Sequence, residues 1–78
     1  MTKHIETRHK LRSISSLDDF NHLIDKCVLS DEERSVVYAH YVNGKPLGYI
    51  ADSMGFSVST VKRIHSKALG RLANLLDE

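Results

Sequence analysis

Apolar positions recur at helical spacing in four stretches of the chain. Leu17, Phe20, Leu23, Ile24 and Cys27 repeat every three or four residues, which predicts a first helix over about 17–27. Ser16 followed by Asp19 resembles a capping box in which aspartate replaces the usual glutamate. In the next stretch, Ser30 can accept from the Glu33 amide while Glu33 reaches back to the Ser30 amide. Asp31, Glu32 and Glu33 also suit the positive end of a helix dipole. This second helix should run to about Val42, bury Val36, Val37, Ala39, Tyr41 and Val42, and stop at Asn43-Gly44, where both residues tolerate a left-handed conformation.

Pro46 fits a first helical turn because its missing amide proton costs nothing there. Leu47, Ile50, Ala51 and Met54 then mark one buried stripe of a short third helix that ends at Gly55. Only Gly55-Phe56-Ser57 separates it from Val58, Val61, Ile64, Ala68, Leu72 and Leu75, with Leu69 and Leu76 beside them. That repeat predicts a fourth helix over Val58 to Leu76, capped by Ser57 and about 28 Å long. Residues 1–15 lack sustained periodicity and read as a flexible basic arm, leaving 16–78 as one all-α domain of four helices without a wing.

Size narrows the function. Seventy-eight residues, 41% of them hydrophobic, make about the smallest domain that folds without staples and leave little room for a catalytic cleft, so no enzyme is expected. No apolar run approaches the roughly 20 residues that span a bilayer, and no apolar stretch follows the basic Met1–Arg12 as a secretion signal requires. A soluble, cytoplasmic, nucleoid-associated protein is the expectation. Cys27 is the single cysteine, which excludes an internal disulfide and reads as core in the first helix.

The net charge of +1 hides a segregation along the chain. Lys3, Arg8, Lys10 and Arg12 outweigh Glu6 in the arm, six acids outweigh Lys26 and Arg34 between Leu17 and Gly44, and the last third is basic again. No Asp or Glu occurs between Asp52 and Asp77, and the polar face of the fourth helix carries Ser59, Thr60, Lys62, Arg63, Ser66, Lys67 and Arg71. Such side chains suit phosphates and base edges. Two helices joined by a short glycine-containing turn, with Ala51 at their crossing and Val61 and Ile64 locking the second on the first, form a helix-turn-helix.

These residues carry a family resemblance. Leu29, Glu33-Arg34, Val36, Tyr41, Gly44, Ile50-Ala51, Gly55, Ser57 and Thr60-Val61-Lys62 align without a gap to region four of bacterial sigma factors, and Lys67-Ala68-Leu69 with Arg71-Leu72 resembles the end of that family's recognition helix. The resemblance implies promoter reading through the last helix and docking on the β flap of RNA polymerase. It places base-reading residues on Val58, Ser59, Lys62 and Arg63, where primary sigma factors carry an Arg-Glu pair at the first two positions. The regions that melt the −10 element have no counterpart, so a free-standing copy is expected, as in phage and mobile-element regulators. The GerE/LuxR class is similar in the glutamate-arginine pair, the Ile-Ala step and the Ser-x-x-Thr-Val-Lys string.

The expected function is therefore a transcriptional regulator that binds double-stranded DNA through Ser57, Val58, Ser59, Thr60, Lys62, Arg63, Lys67 and Arg71, with Lys3, Arg8, Lys10 and Arg12 of the arm on phosphates. The alternative is a module that docks on RNA polymerase or a sigma factor with little DNA contact of its own. A homodimer on paired half-sites would supply the specificity one helix-turn-helix lacks. His4, His9, His22, His40 and His65 include no i, i+4 pair, so neither metal nor other cofactor is expected. Asp18 and Asp19 diverge by about 100° on a helix and cannot face one substrate as an acid/base pair.

Overall fold

A computed structural model describes residues 2–76, with side chains from residue 5 onward. Five helices follow in order: α1 (Thr2–Ser13), α2 (Leu17–Lys26), α3 (Asp31–Tyr41), α4 (Leu47–Met54) and α5 (Val58–Leu76). Among the described residues there is no strand. The fold is all-α, as the periodicity predicts, but it has one helix more than the expected four.

The additional helix lies where the sequence suggests a flexible arm. α1 shows almost no amphipathic pattern, since Ile5 and Leu11 are its only large apolar residues between 5 and 13 and Ile5 is half exposed. Its inward face consists of Thr7 and Leu11, one helical turn apart and 3% and 2% exposed, and the helix packs against α5. Lys10 and Arg12 in its last turn favour the negative end of the helix dipole, and the Ser13 hydroxyl donates to the Lys10 carbonyl at 2.8 Å. Residues with good helix propensity and one well-buried leucine thus make a helix that no hydrophobic repeat announces.

The Ser30 cap matches its sequence signal in full, and the Ser16 cap shows one half of the expected box. Ser16 accepts from the Asp19 amide at 3.4 Å. Ser30 and Glu33 form the full reciprocal box, with the Glu33 amide on the Ser30 hydroxyl at 3.2 Å and the Ser30 amide on Glu33 Oε1 at 2.8 Å. Gly44, at φ 71°, turns the chain after α3, and beyond it the Lys45 amide donates to the Ala39 carbonyl at 3.0 Å.

Two apolar clusters share α3 and α5. Leu11, Phe20, Ile24, Cys27, Val37, Ala68, Leu69 and Leu72 join α1 and α2 to α3 and the later part of α5. Val36, Ile50, Ala51 and Val61 join α4 to α3 and the start of α5, with Leu47, Met54, Phe56 and Ile64 packed around them. The adjacent valines Val36 and Val37 point about 100° apart on α3 and so serve one cluster each. Two residues expected in the core lie outside it: Leu17 is 49% exposed and Val58 44%, each being the first residue of its helix with no turn before it to pack under.

Candidate nucleic-acid interface

The corner between α4 and α5 is built from local backbone chemistry. Gly55 takes φ 74°, its amide donates to the Asp52 carbonyl at 3.3 Å, and the Phe56 amide donates to the Ala51 carbonyl at 2.9 Å. This pair of bonds is a Schellman closure, and the contact of Phe56 with the cluster containing Ala51 completes it. Ala51 is 1% exposed, and a larger side chain there would separate the helices. Ser57 opens α5: its hydroxyl accepts from the Thr60 amide at 3.2 Å and lies 3.0 Å from the Thr60 hydroxyl, while its carbonyl accepts from Val61 at 3.1 Å.

With that start set, α5 turns Val61, His65, Ala68, Leu69, Leu72 and Ala73 inward. Val58, Ser59, Lys62, Arg63, Ser66 and Lys67 are exposed. Val58, Ser59, Lys62 and Arg63 stand at i, i+1, i+4 and i+5, so they make one continuous patch at the amino-terminal end of the helix. Lys67 lies one turn beyond Arg63. Among the described residues no carboxylate pairs with Lys62, Arg63 or Lys67, so their charge faces outward uncompensated.

Arg71 is placed differently. Its Nη1 donates to the Val28 carbonyl at 2.9 Å and its Nε lies 3.6 Å from Glu33 Oε2, which ties α5 to the α2–α3 loop and the start of α3. It stands about 12 Å along the helix from Arg63. The structure therefore brings seven of the eight residues expected on α5 and its cap to the corner, while Arg71, half exposed, is bonded to Val28 and Glu33 farther along the helix. Glu33 is 4% exposed, so the Ser30 amide and Arg71 together satisfy a buried carboxylate. Burial pushes the nearby Cys27 thiol above its ordinary value; the Arg71 charge opposes the rise and Glu33 adds to it.

The basic residues of α1 also have neighbours. Arg12 lies 6.0 Å from the centroid of the Tyr41 ring. Burial raises the Tyr41 pKa, and the charges of Arg8 and Arg12 offset part of that rise. Lys10 is exposed, and the side chain of Lys3 lies outside the described residues.

A polar group beneath the corner escaped the sequence reading. The Tyr41 hydroxyl and His65 Nε2 are 2.8 Å apart, the two rings stack at 5.6 Å, and the His40 ring stands edge-on to His65 at 5.2 Å. His40 Nδ1 donates to the Lys45 carbonyl at 2.8 Å. These contacts fasten the end of α3 to the middle of α5. The signal was available: His65 follows Val61 by four and precedes Ala68 by three, on the buried face.

This arrangement is that of a helix-turn-helix domain, with a short helix bracing a longer one whose outer face is basic. The Sigma-70, region 4 family matches residues 28–74, more than half of the chain, and the chain belongs to that family of DNA-binding helix-turn-helix domains. The matched stretch covers α3, α4 and nearly all of α5 and leaves α1 and α2 outside it. No curated protein and no solved structure matches the chain. Among the described residues, no helix is long and apolar enough to cross a membrane.

Proposed function

We propose that the protein is a sequence-specific transcriptional regulator that lays α5 in the major groove of duplex DNA. One observation carries this reading: the exposed face at the start of α5 holds Lys62, Arg63 and Lys67 without a carboxylate, on a helix whose entry angle the Gly55–Ser57 turn and the Ala51 crossing define. Arg63 is the leading base reader, because a guanidinium can engage guanine O6 and N7 together. Lys62 adds a base or phosphate contact. Ser57, Ser59, Thr60 and Lys67 position the helix on the backbone. On α1, Lys10 is the best-presented phosphate contact. Specificity beyond a few base pairs comes from a second copy or from RNA polymerase, whose recruitment the family membership and the exposed acids Asp31 and Glu32 at the start of α3 support.

The test is binding to duplexes selected from a random pool. Arg63→Ala should lose about 1–3 kcal/mol of discrimination at one base pair. Lys67→Ala should weaken all duplexes alike and make the salt slope shallower by about 0.9 for a lost phosphate contact. Unchanged affinity and preference in Arg63→Ala would overturn the assignment of the reading head.

A further inference from the structure

Val58 stands out on the reading patch because it is neither polar nor buried. It belongs to neither apolar cluster and is 44% exposed, the only large hydrophobic residue of α5 so exposed. Single exposed hydrophobes are ordinary, and this one is too isolated to dock a protein. Its position gives it meaning. It is the first residue of the helix, it adjoins Ser59, Lys62 and Arg63, and a β-branched residue adds nothing to helix propensity there.

We propose that Val58 reads the 5-methyl group of a thymine. The inference rests on the major-groove reading above. In that groove the thymine methyl is the one apolar feature a base pair presents, and the other groups are hydrogen-bond donors and acceptors. The Ser57 and Thr60 hydroxyls are bonded to each other and to the helix start, and the Ser59 hydroxyl stands at the neighbouring position of the patch. The patch has no carboxylate to accept from the cytosine N4 amino group, so contact with an apolar side chain selects thymine over cytosine. Val58 and Arg63 are separated by about 7.5 Å along the helix, roughly two base-pair steps. The site should therefore hold a thymine within about two or three base pairs of the guanine that Arg63 reads.

Replacing each thymine of the selected duplex in turn by deoxyuridine removes the methyl and leaves every hydrogen-bonding group in place. For the full chain, one such replacement near the Arg63-dependent guanine should weaken binding about four-fold, the worth of about one buried methylene. Val58→Ala, checked for unchanged helix content, should bind the thymine and uracil duplexes equally, and Val58→Thr, which keeps one methyl, should fall between. A selected duplex that tolerates uracil at every position, or a uracil penalty of the same size in Val58→Ala, would overturn the inference while leaving the DNA-binding reading intact. Failure of the protein to enrich any duplex would overturn both.

Discussion

The corner of α4 and α5 and the cluster that gathers α1, α2 and the end of α5 share one helix yet are specified by different physics. At the corner, a left-handed glycine, a serine cap and a small residue at a helix crossing fix the geometry within a few consecutive positions. The other cluster joins residues far apart in the chain: Leu11 and Leu72 both belong to it, and Arg71 reaches Val28. The cations differ accordingly. Among the described residues those at the corner pair with no carboxylate, whereas Arg71 and Arg34 are bonded to protein oxygens and Arg12 lies against the Tyr41 ring. A basic residue in the sequence is thus left facing outward or drawn into a structural tie according to which region holds it.

The largest effects should appear in the second region. Leu72 is fully buried where the helices of that cluster meet, and Leu72→Ala should cost about 3–4 kcal/mol in chemical denaturation. Leu11→Ala sharpens the comparison, because a docked α1 predicts a loss of about 2–3 kcal/mol and an unattached arm predicts almost none. A loss below about 0.5 kcal/mol would restore the arm and limit this cluster to α2, α3 and α5.

Gly55→Ala should cost less, about 1–2 kcal/mol, and for a different reason. An added Cβ meets nothing within 4 Å, so the whole penalty is the strain of holding an L-residue at φ 74°. Gly55→Asn should recover part of the loss, since asparagine tolerates that conformation better. If Gly55→Asn were as damaging as Gly55→Ala, the turn would depend on something other than backbone strain.

The same contrast explains what the sequence made legible. Ser30 with Glu33, Asn43-Gly44, Pro46, Gly55 and Ser57 are local signals whose partners lie within a few residues, and the corner follows from them together with the four-residue repeat of α5. α1 was illegible because Thr7 and Leu11 make too short a stripe to register as a period, and its stability comes from a partner some 60 positions away. The ties of Arg71 were hidden for a related reason. It lies on the same helix as Arg63 and in the same basic run, and only the approach of Val28 and Glu33 distinguishes its surroundings. The Tyr41–His65 contact likewise joins two residues whose separate spacings suggest only burial.

The smallest effect concerns Cys27 and tests whether the second region behaves as one electrostatic unit. Its thiol is buried, and that burial holds its pKa above the ordinary 9.0, with Glu33 adding to the rise and Arg71 working against it. A raised pKa means that the folded protein keeps the thiol proton at pH values where the unfolded chain has released it. The resulting contribution to stability is fully present below pH 9.0 and declines as the pH climbs from there through the folded value. Denaturation midpoints should accordingly fall on the alkaline side of pH 9.0, and Cys27→Ala, though less stable at neutral pH, should show a flatter decline. Tyr41, also raised by burial, contributes in the same direction from pH 10.0 upward, so the difference between wild type and Cys27→Ala isolates the thiol. Parallel curves for the two proteins between those values would show that burial does not hold the thiol neutral. In that event Arg71, the opposing charge, would cancel the combined effect of burial and Glu33 on Cys27.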